Sequence, residues 1–184
     1  MNESNRRIGK IICAVRTEED FSYALTSKPS VIFDLDPDIH NIKSKAERAH
    51  ENGKRLFIHI DLATGIGKDK SGILYAKDCG VDGIISTRVN MIKTARELGM
   101  FTVQRFFIVD SQSIYTTIDS VKSAKPDMIE IMPGLLSKTL SRLSHELSIP
   151  VIAGGLIESE DEVNTAIYSG AVSVSTGKRE LWDV

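Results

Sequence analysis

Only two cysteines occur in 184 residues, Cys13 and Cys79, and they stand far apart. That scarcity leaves no disulfide framework and no paired-cysteine metal or redox motif, so both read as reduced, structural residues. An excess of one charge is missing too: 23 Lys and Arg against 25 Asp and Glu give a net −2 and a pI near 6.1. No global basic field draws in nucleic acid or an anionic membrane, and an RNA partner would need a local patch. Aromatics make up only 6%, and no aromatic RNA-recognition signature is present. No apolar run reaches the length of a membrane span, and the opening MNESNRRIGK is polar, which points to a cytoplasmic chain without a membrane partner. The first strand is not followed by a Gly-rich dinucleotide fingerprint.

What the chain has is a strict alternation of short apolar runs with amphipathic segments, and 41% hydrophobic residues to bury. The expected strands are Ile11–Val15, Val31–Leu35, Leu56–Leu62, Gly83–Thr87, Thr102–Phe106, Met128–Met132, Val151–Gly154 and Ala171–Ser175. Helices are expected near 17–27, 40–52, 70–79, 90–98, 111–124, 136–147 and 159–169. Ser111 and Ser159 read as N-caps, and Gly53, Gly80, Gly99 and Gly170 as helix stops. Strand-then-helix order implies a parallel sheet with crossover helices, and eight units suggest closure. The expectation is one α/β domain over residues 1–184, a (β/α)8 TIM-type barrel with short loops and a last helix cut down to Lys178–Asp183. Such barrels typically run to ~250 residues, so an open doubly wound sheet is the competing architecture.

The stretch from Ile149 to Gly177 organises the functional reading. It places Gly154 and Gly155 at the end of one strand, and Ser175, Thr176 and Gly177 at the end of the next. Glycines let backbone N–H groups approach an anion, hydroxyls add donors, and the loops after strands 7 and 8 hold phosphate in many barrels of this type. The other strand ends carry Asp34 and Asp36, His59 and Asp61, Ser86, Thr87 and Arg88, Gln104 and Arg105, and Glu130. Alternation along a strand turns His59, Asp61 and Glu130 toward the lumen, with Ile58, Ile60, Ile129 and Ile131 facing the helices. Arg88 and Arg105 then supply forked donors beside the cradle, while Asp61 and Glu130 accept from the hydroxyls of a small polyol. A small phosphorylated sugar or alcohol suits that mouth. The bland alternative is a set of Arg–carboxylate pairs that satisfy one another.

The loop ATGIGKDKSG after strand 3 carries Lys68 and Asp69 between glycines and reads either as a lid over a bound anion or as a solvated loop. His59 with Asp61 also allows an acid–base pair or a metal pair, but an H-x-D spacing arises in any alternating strand, and neither metal nor cofactor is assigned. An isomerase or aldolase acting on a small sugar phosphate is the enzymatic alternative. A Schiff-base aldolase needs a desolvated Lys at a strand end; no strand end offers one, and Lys178 lies just past the last.

The blocks HIDLATGIGKD (59–69), GIISTR (83–88), TVQRFFIVDS (102–111), PDMIEIMPG (126–134), IPVIAGGLI (149–157) and GAVSVSTGKRELW (170–182) stand in order and in register. Together they resemble the bacterial glycerol uptake operon antiterminator regulators from about His59 to Trp182. The resemblance implies a (β/α)8-like barrel that responds to glycerol 3-phosphate, binds leader mRNA so that a terminator does not form, and performs no catalysis. Carried over by position, it implies phosphate on Gly154, Gly155, Ser175 and Thr176. It also implies ligand contacts at His59, Asp61, Arg88, Arg105 and Glu130, with Lys68 and Asp69 in the variable loop. Two departures stand out: the family's pattern has a hydroxyl residue where this chain has Gly177, and Asp34 and Asp36 have no counterpart. If Asp34 faces the lumen, ligand preference shifts. For RNA, the basic positions expected on helices near the ligand-bearing face are Lys93, Arg96, Lys122, Lys125, Lys138 and Arg142. Oligomeric state leaves no signal in the sequence.

Overall fold

A computed structural model describes residues 8–184. Eight parallel strands close on themselves in sequence order: β1 (Ile11–Val15), β2 (Val31–Asp34), β3 (Arg55–His59), β4 (Gly83–Ser86), β5 (Phe101–Phe107), β6 (Met128–Met132), β7 (Val151–Gly154) and β8 (Ser173–Thr176). Pairing of β1 with β8, Cys13 opposite Thr176, completes the ring. The expected barrel is therefore the observed one, and an open sheet is excluded.

Seven α-helices cover it: α1 (Glu18–Thr26), α2 (Ile42–Glu51), α3 (Lys70–Asp78), α4 (Val89–Glu97), α5 (Ser111–Ala124), α6 (Ser137–Glu146) and α7 (Glu160–Tyr168). The eighth is only a 3-10 turn over Arg179–Leu181, the truncation the sequence predicts. Ser159 caps α7 in a full capping box with Glu162. The N-cap of α5 is Asp110 rather than Ser111, its carboxylate accepting from Ser113 N. The glycine stops hold, each with a positive φ just past a helix, Gly170 reaching +101°. Helix α5 instead ends on Lys125, a non-glycine at φ +50°.

Two apolar clusters divide along the strand alternation. One packs between sheet and helices, with Cys13, Ile32, Ile58, Ile84, Ile129 and Val174 pointing outward. The other fills the lumen with Ile12, Phe33, Phe57, Ile85, Val103, Met128 and Ile152. The rings of Phe33, Phe57 and Phe101 lie 5.7 and 5.3 Å apart in sequence. Phe57 fits because its neighbour in β4 is Gly83, where a Cβ would come within 2.8 Å of the ring. This aromatic plug closes the lower barrel, so the polar residues above it sit on an apolar floor.

Strand β3 ends sooner than expected. At His59 the chain turns into a 3-10 segment, Ile60–Leu62, so Asp61 reaches the mouth from a turn and not by strand alternation. Asp34 faces outward with Ile32 and makes a buried ion pair with Lys45 of α2, Nζ to Oδ2 2.7 Å. It does not enter the lumen, and the shift in ligand preference that a lumenal Asp34 would bring has no basis.

Candidate ligand site at the mouth of the barrel

The carboxyl ends of β7, β8 and β1 frame a cavity of about 340 Å³. Gly155, Ser175, Thr176 and Gly177 line it, as do Ala14 and Arg16 after β1, and Arg105 supplies a guanidinium from β5. The volume falls within the range of small-molecule pockets, at its lower end.

Glu130 anchors the polar side of this pocket. Fully buried, it receives Arg105 Nε on Oε2 at 2.5 Å and the Ser175 hydroxyl on Oε1. Both carboxylate oxygens are thus occupied: the side chain takes the one proton of the Ser175 hydroxyl and orients the Arg105 guanidinium, which binds through Nε and keeps its terminal N–H groups for a ligand. Register explains the grouping: Arg105 lies opposite Glu130 across β5 and β6, and Gly154 lies opposite Ser175 across β7 and β8. At Gly154 a Cβ would fall 2.5 Å from Glu130 Oε1 and 2.7 Å from Ser175 Oγ. Gly154 is there to make room for that triad, and the cavity is lined by its successor.

Gly155 adopts φ +73° and turns the chain under the pocket, where a Cβ would meet the flexible end of Met132 at 2.7 Å. Leu156 follows with φ +61°, a left-handed conformation uncommon outside glycine. Thr176 is tied in from three sides: its hydroxyl donates to Ile157 O at 3.1 Å and accepts from Lys178 N at 3.1 Å, and its carbonyl accepts the indole N–H of buried Trp182 at 2.8 Å. Gly177 has space around it, since an added Cβ would come no closer than 3.4 Å, to Ala14 O.

Across the mouth, Asp61 is a loop organiser. Its carboxylate accepts from Ser86 Oγ and Thr87 N at 2.8 Å and from Thr87 Oγ1 at 3.0 Å, with half-exposed Arg88 at 3.7 Å. Ser86 and Gln104, grouped with the strand ends by sequence, face the helix layer; Gln104 Nε2 donates to Ser120 Oγ of α5 at 2.8 Å. His59 does reach the lumen. It is 3% exposed, and its Nδ1 has no hydrogen-bond partner among the described residues. Burial, reinforced by the Arg105 cation, pushes its pKa down to about 4 against the opposing pull of Asp61 and Glu130, so the ring is neutral at physiological pH. His59 lies in the lumen below the cavity and is not among the residues that line it.

The structure therefore brings Arg105, Ser175, Thr176, Gly155 and Gly177 together, with Glu130 and Gly154 behind them. Asp61 and Arg88 lie to one side. Lys68 and Asp69 belong elsewhere: Lys68 Nζ donates to Ala63 O at 3.3 Å, and Asp69 caps α3 through Gly72 N at 2.9 Å. Their loop is packed down so closely that a Cβ on Gly72 would overlap Gly67 O at 1.8 Å. Arg16 is a pocket residue that the sequence reading missed. It is the first residue past β1, and applying the strand-end rule to every strand would have found it. Among the described residues there is no cluster of three or more His, Cys, Asp or Glu able to hold a metal, and no helix long and apolar enough to cross a membrane.

Comparison with known proteins adds the following. A family model described as "Glycerol-3-phosphate responsive antiterminator" matches residues 11–182. The crystal structure of a glycerol uptake operon antiterminator regulatory protein from Listeria monocytogenes superposes with a TM-score of 0.90 at 33% identity, covering 99% of this chain and 97% of that one. An antiterminator-related protein from Thermotoga maritima gives 0.86 at 30% identity, with 96% and 99% covered. The Escherichia coli protein YgcP, uncharacterized, is 36% identical over 96% of this chain and 93% of its own length. The deoxyribose phosphate aldolase of Aeropyrum pernix shares the fold alone, at 16% identity and a TM-score of 0.72 over 94% and 87% of the two chains.

Proposed function

The chain belongs to the glycerol-3-phosphate responsive antiterminator family, and from that membership and the mouth pocket we propose that it is a glycerol 3-phosphate sensor that binds leader mRNA of glycerol-utilisation genes in the cytoplasm. The phosphate sits against Gly155, Ser175, Thr176 and Gly177 with Arg105 as its charged donor. The glycerol hydroxyls point down toward the lumen, where neutral His59 lies beneath the cavity, while Asp61 and Arg88 shape the far rim. The observation that carries this reading is the Arg105–Glu130–Ser175 triad. It holds the Arg105 guanidinium, already oriented by Glu130, at the edge of a cavity of about 340 Å³, and orientation fixed before binding favours a small anion. Family membership supports the RNA half of the reading.

The same residues argue against a Schiff-base enzyme. Two lysines are buried, but Lys45 is engaged with Asp34 in the helix layer, and Lys54 donates to Ser27 O and Pro29 O at the opposite end of the barrel. Lys178 lines the cavity but is half-exposed and lies 3.7 Å from Glu158. None is a desolvated lumenal nucleophile.

Calorimetric titration of glycerol 3-phosphate, with glycerol and inorganic phosphate as controls and Trp182 emission followed in parallel, tests the proposal. Saturable binding that needs both the phosphate and the polyol is expected. Equal binding of bare phosphate, or none of the three, overturns it.

A further inference from the structure

Away from the mouth, α4 and α5 run side by side and end at the opposite rim of the barrel. Between their last turns lies a groove of about 400 Å³ lined by Lys93, Arg96, Glu97, Ser123, Ala124 and Lys125. We propose that this groove grips the sugar–phosphate backbone of the RNA; the inference rests on the antiterminator reading above.

Three cations face one carboxylate there, and exposed Lys122, one turn before Lys125 on α5, adds a fourth. In a chain of net charge −2 such a concentration is not a reflection of overall composition. Nor are the charges spent inside the fold. Lys93 and Glu97 stand one helical turn apart, the spacing at which an ion pair ordinarily forms, yet no bridge joins them. Among the described residues Lys93, Lys122 and Lys125 make neither an ion pair nor a side-chain hydrogen bond. Arg96 reaches across to α5, Nη1 lying 3.4 Å from Ala124 O, which fixes its guanidinium over the groove while its other N–H groups stay open.

Lys125 is the second observation. It ends α5 at φ +50°, where glycine is the residue of least strain. Its side chain is exposed, and among the described residues its ammonium makes no ion pair or hydrogen bond. The ligand-bearing rim is the poorer surface for a polyanion: Glu160, Asp161 and Glu162 crowd the first turn of α7, and on α1 Glu18, Glu19 and Asp20 already hold Arg48 and Arg179 in ion pairs. The expectation that all six basic helix positions lie near that rim is corrected accordingly. Lys93 is mid-helix on α4, Arg96, Lys122 and Lys125 are at the far end, Lys138 is at the start of α6, and Arg142 pairs with Glu146 at 2.7 Å and covers the ring of Tyr115.

Ammonium groups and a guanidinium in a groove read backbone charge, not base identity. The test compares wild-type protein with the Lys93→Glu/Lys122→Glu/Lys125→Glu variant, on the leader transcript of the operon that encodes the chain and on a scrambled transcript of equal length. Glycerol 3-phosphate affinity, measured separately, reports that the variant is folded. The expected result is at least a roughly tenfold loss of affinity for both transcripts at moderate salt. The slope of log affinity against log salt becomes about two units shallower, as loss of three phosphate contacts to a single strand requires. Lys43→Glu on α2 changes affinity less than about twofold. Wild-type binding that the triple variant retains, with the same salt slope, overturns the groove and leaves the sensor reading intact. Failure of the wild-type protein to bind either transcript, with or without ligand, overturns the antiterminator reading and this inference with it.

Discussion

Arg105 and Glu130 face each other across β5 and β6, 2.5 Å from Nε to Oε2, at 4% and 0% side-chain exposure. Removing one member of such a pair leaves the other charge buried and alone, which costs roughly 3–5 kcal/mol, whereas replacing both by apolar residues of similar size is far milder. Glu130→Ala is therefore expected to be more destabilising than the double change Arg105→Met/Glu130→Leu. Glycerol 3-phosphate binding is lost in both. Urea unfolding of the two variants, with titration of whatever remains folded, checks the ordering.

The pH dependence follows from His59. In the unfolded chain its imidazole takes a proton near 6.5, in the folded protein only near 4. Its contribution is fully present above pH 6.5 and is lost as pH falls from there toward 4, because only the unfolded state gains the proton. The size of the loss is on the order of 3 kcal/mol. His59→Gln should flatten the acid limb of a stability-versus-pH curve across that window. An unchanged limb means that another group governs it.

The two glycines of the cradle respond differently to alanine. At Gly154 the obstacle is the buried Glu130–Ser175 pair, so Gly154→Ala breaks the triad and abolishes ligand binding. At Gly155 the strain is of another kind: φ is +73° and the nearest atom is the free end of Met132, so Gly155→Ala costs roughly 1 kcal/mol of stability and weakens binding without ending it. Thermal melts with and without ligand separate the two.

Gly177 is the position where a side chain can be added. With 3.4 Å to the nearest obstacle, Gly177→Ser is expected to fold normally and, by supplying a further donor to the phosphate, to tighten glycerol 3-phosphate binding about threefold to tenfold. Calorimetry showing weaker binding would place the phosphate elsewhere.

Asp34 offers a contrasting control. Paired with Lys45 behind the sheet, it serves stability alone: Asp34→Ala should lower the melting temperature and leave ligand affinity in the remaining folded protein within about twofold.

The barrel was legible because every strand and nearly every helix stop obeys a local rule, and the lumenal places of His59, Arg105 and Glu130 follow from alternation and register. Asp34, Asp61 and Gly154 each turn on a feature that no single local rule displays. Asp34 looks like a mouth residue until Lys45, eleven positions on, is seen buried against it. Asp61 sits at the right rim for a different reason, since the strand has already given way to a 3-10 turn. Gly154 looks like a phosphate glycine, but its lack of a side chain serves Glu130 and Ser175. Lys125 was legible as a basic position but not as the left-handed end of α5, because only the backbone shows a lysine occupying a glycine's conformation.

Closure of the sheet between β1 and β8 has one more implication. A ring of strands keeps no spare row of backbone donors and acceptors, so no partner can be recruited by adding a strand to it. Everything a macromolecule recognises here must be written in side chains on helices and connecting segments, outside the hydrogen-bonded ring that holds the small-molecule pocket in shape. On the proposed reading, surface substitution can exchange one transcript for another while the small-molecule pocket stays as it is, and either half can be rewired without rebuilding the other.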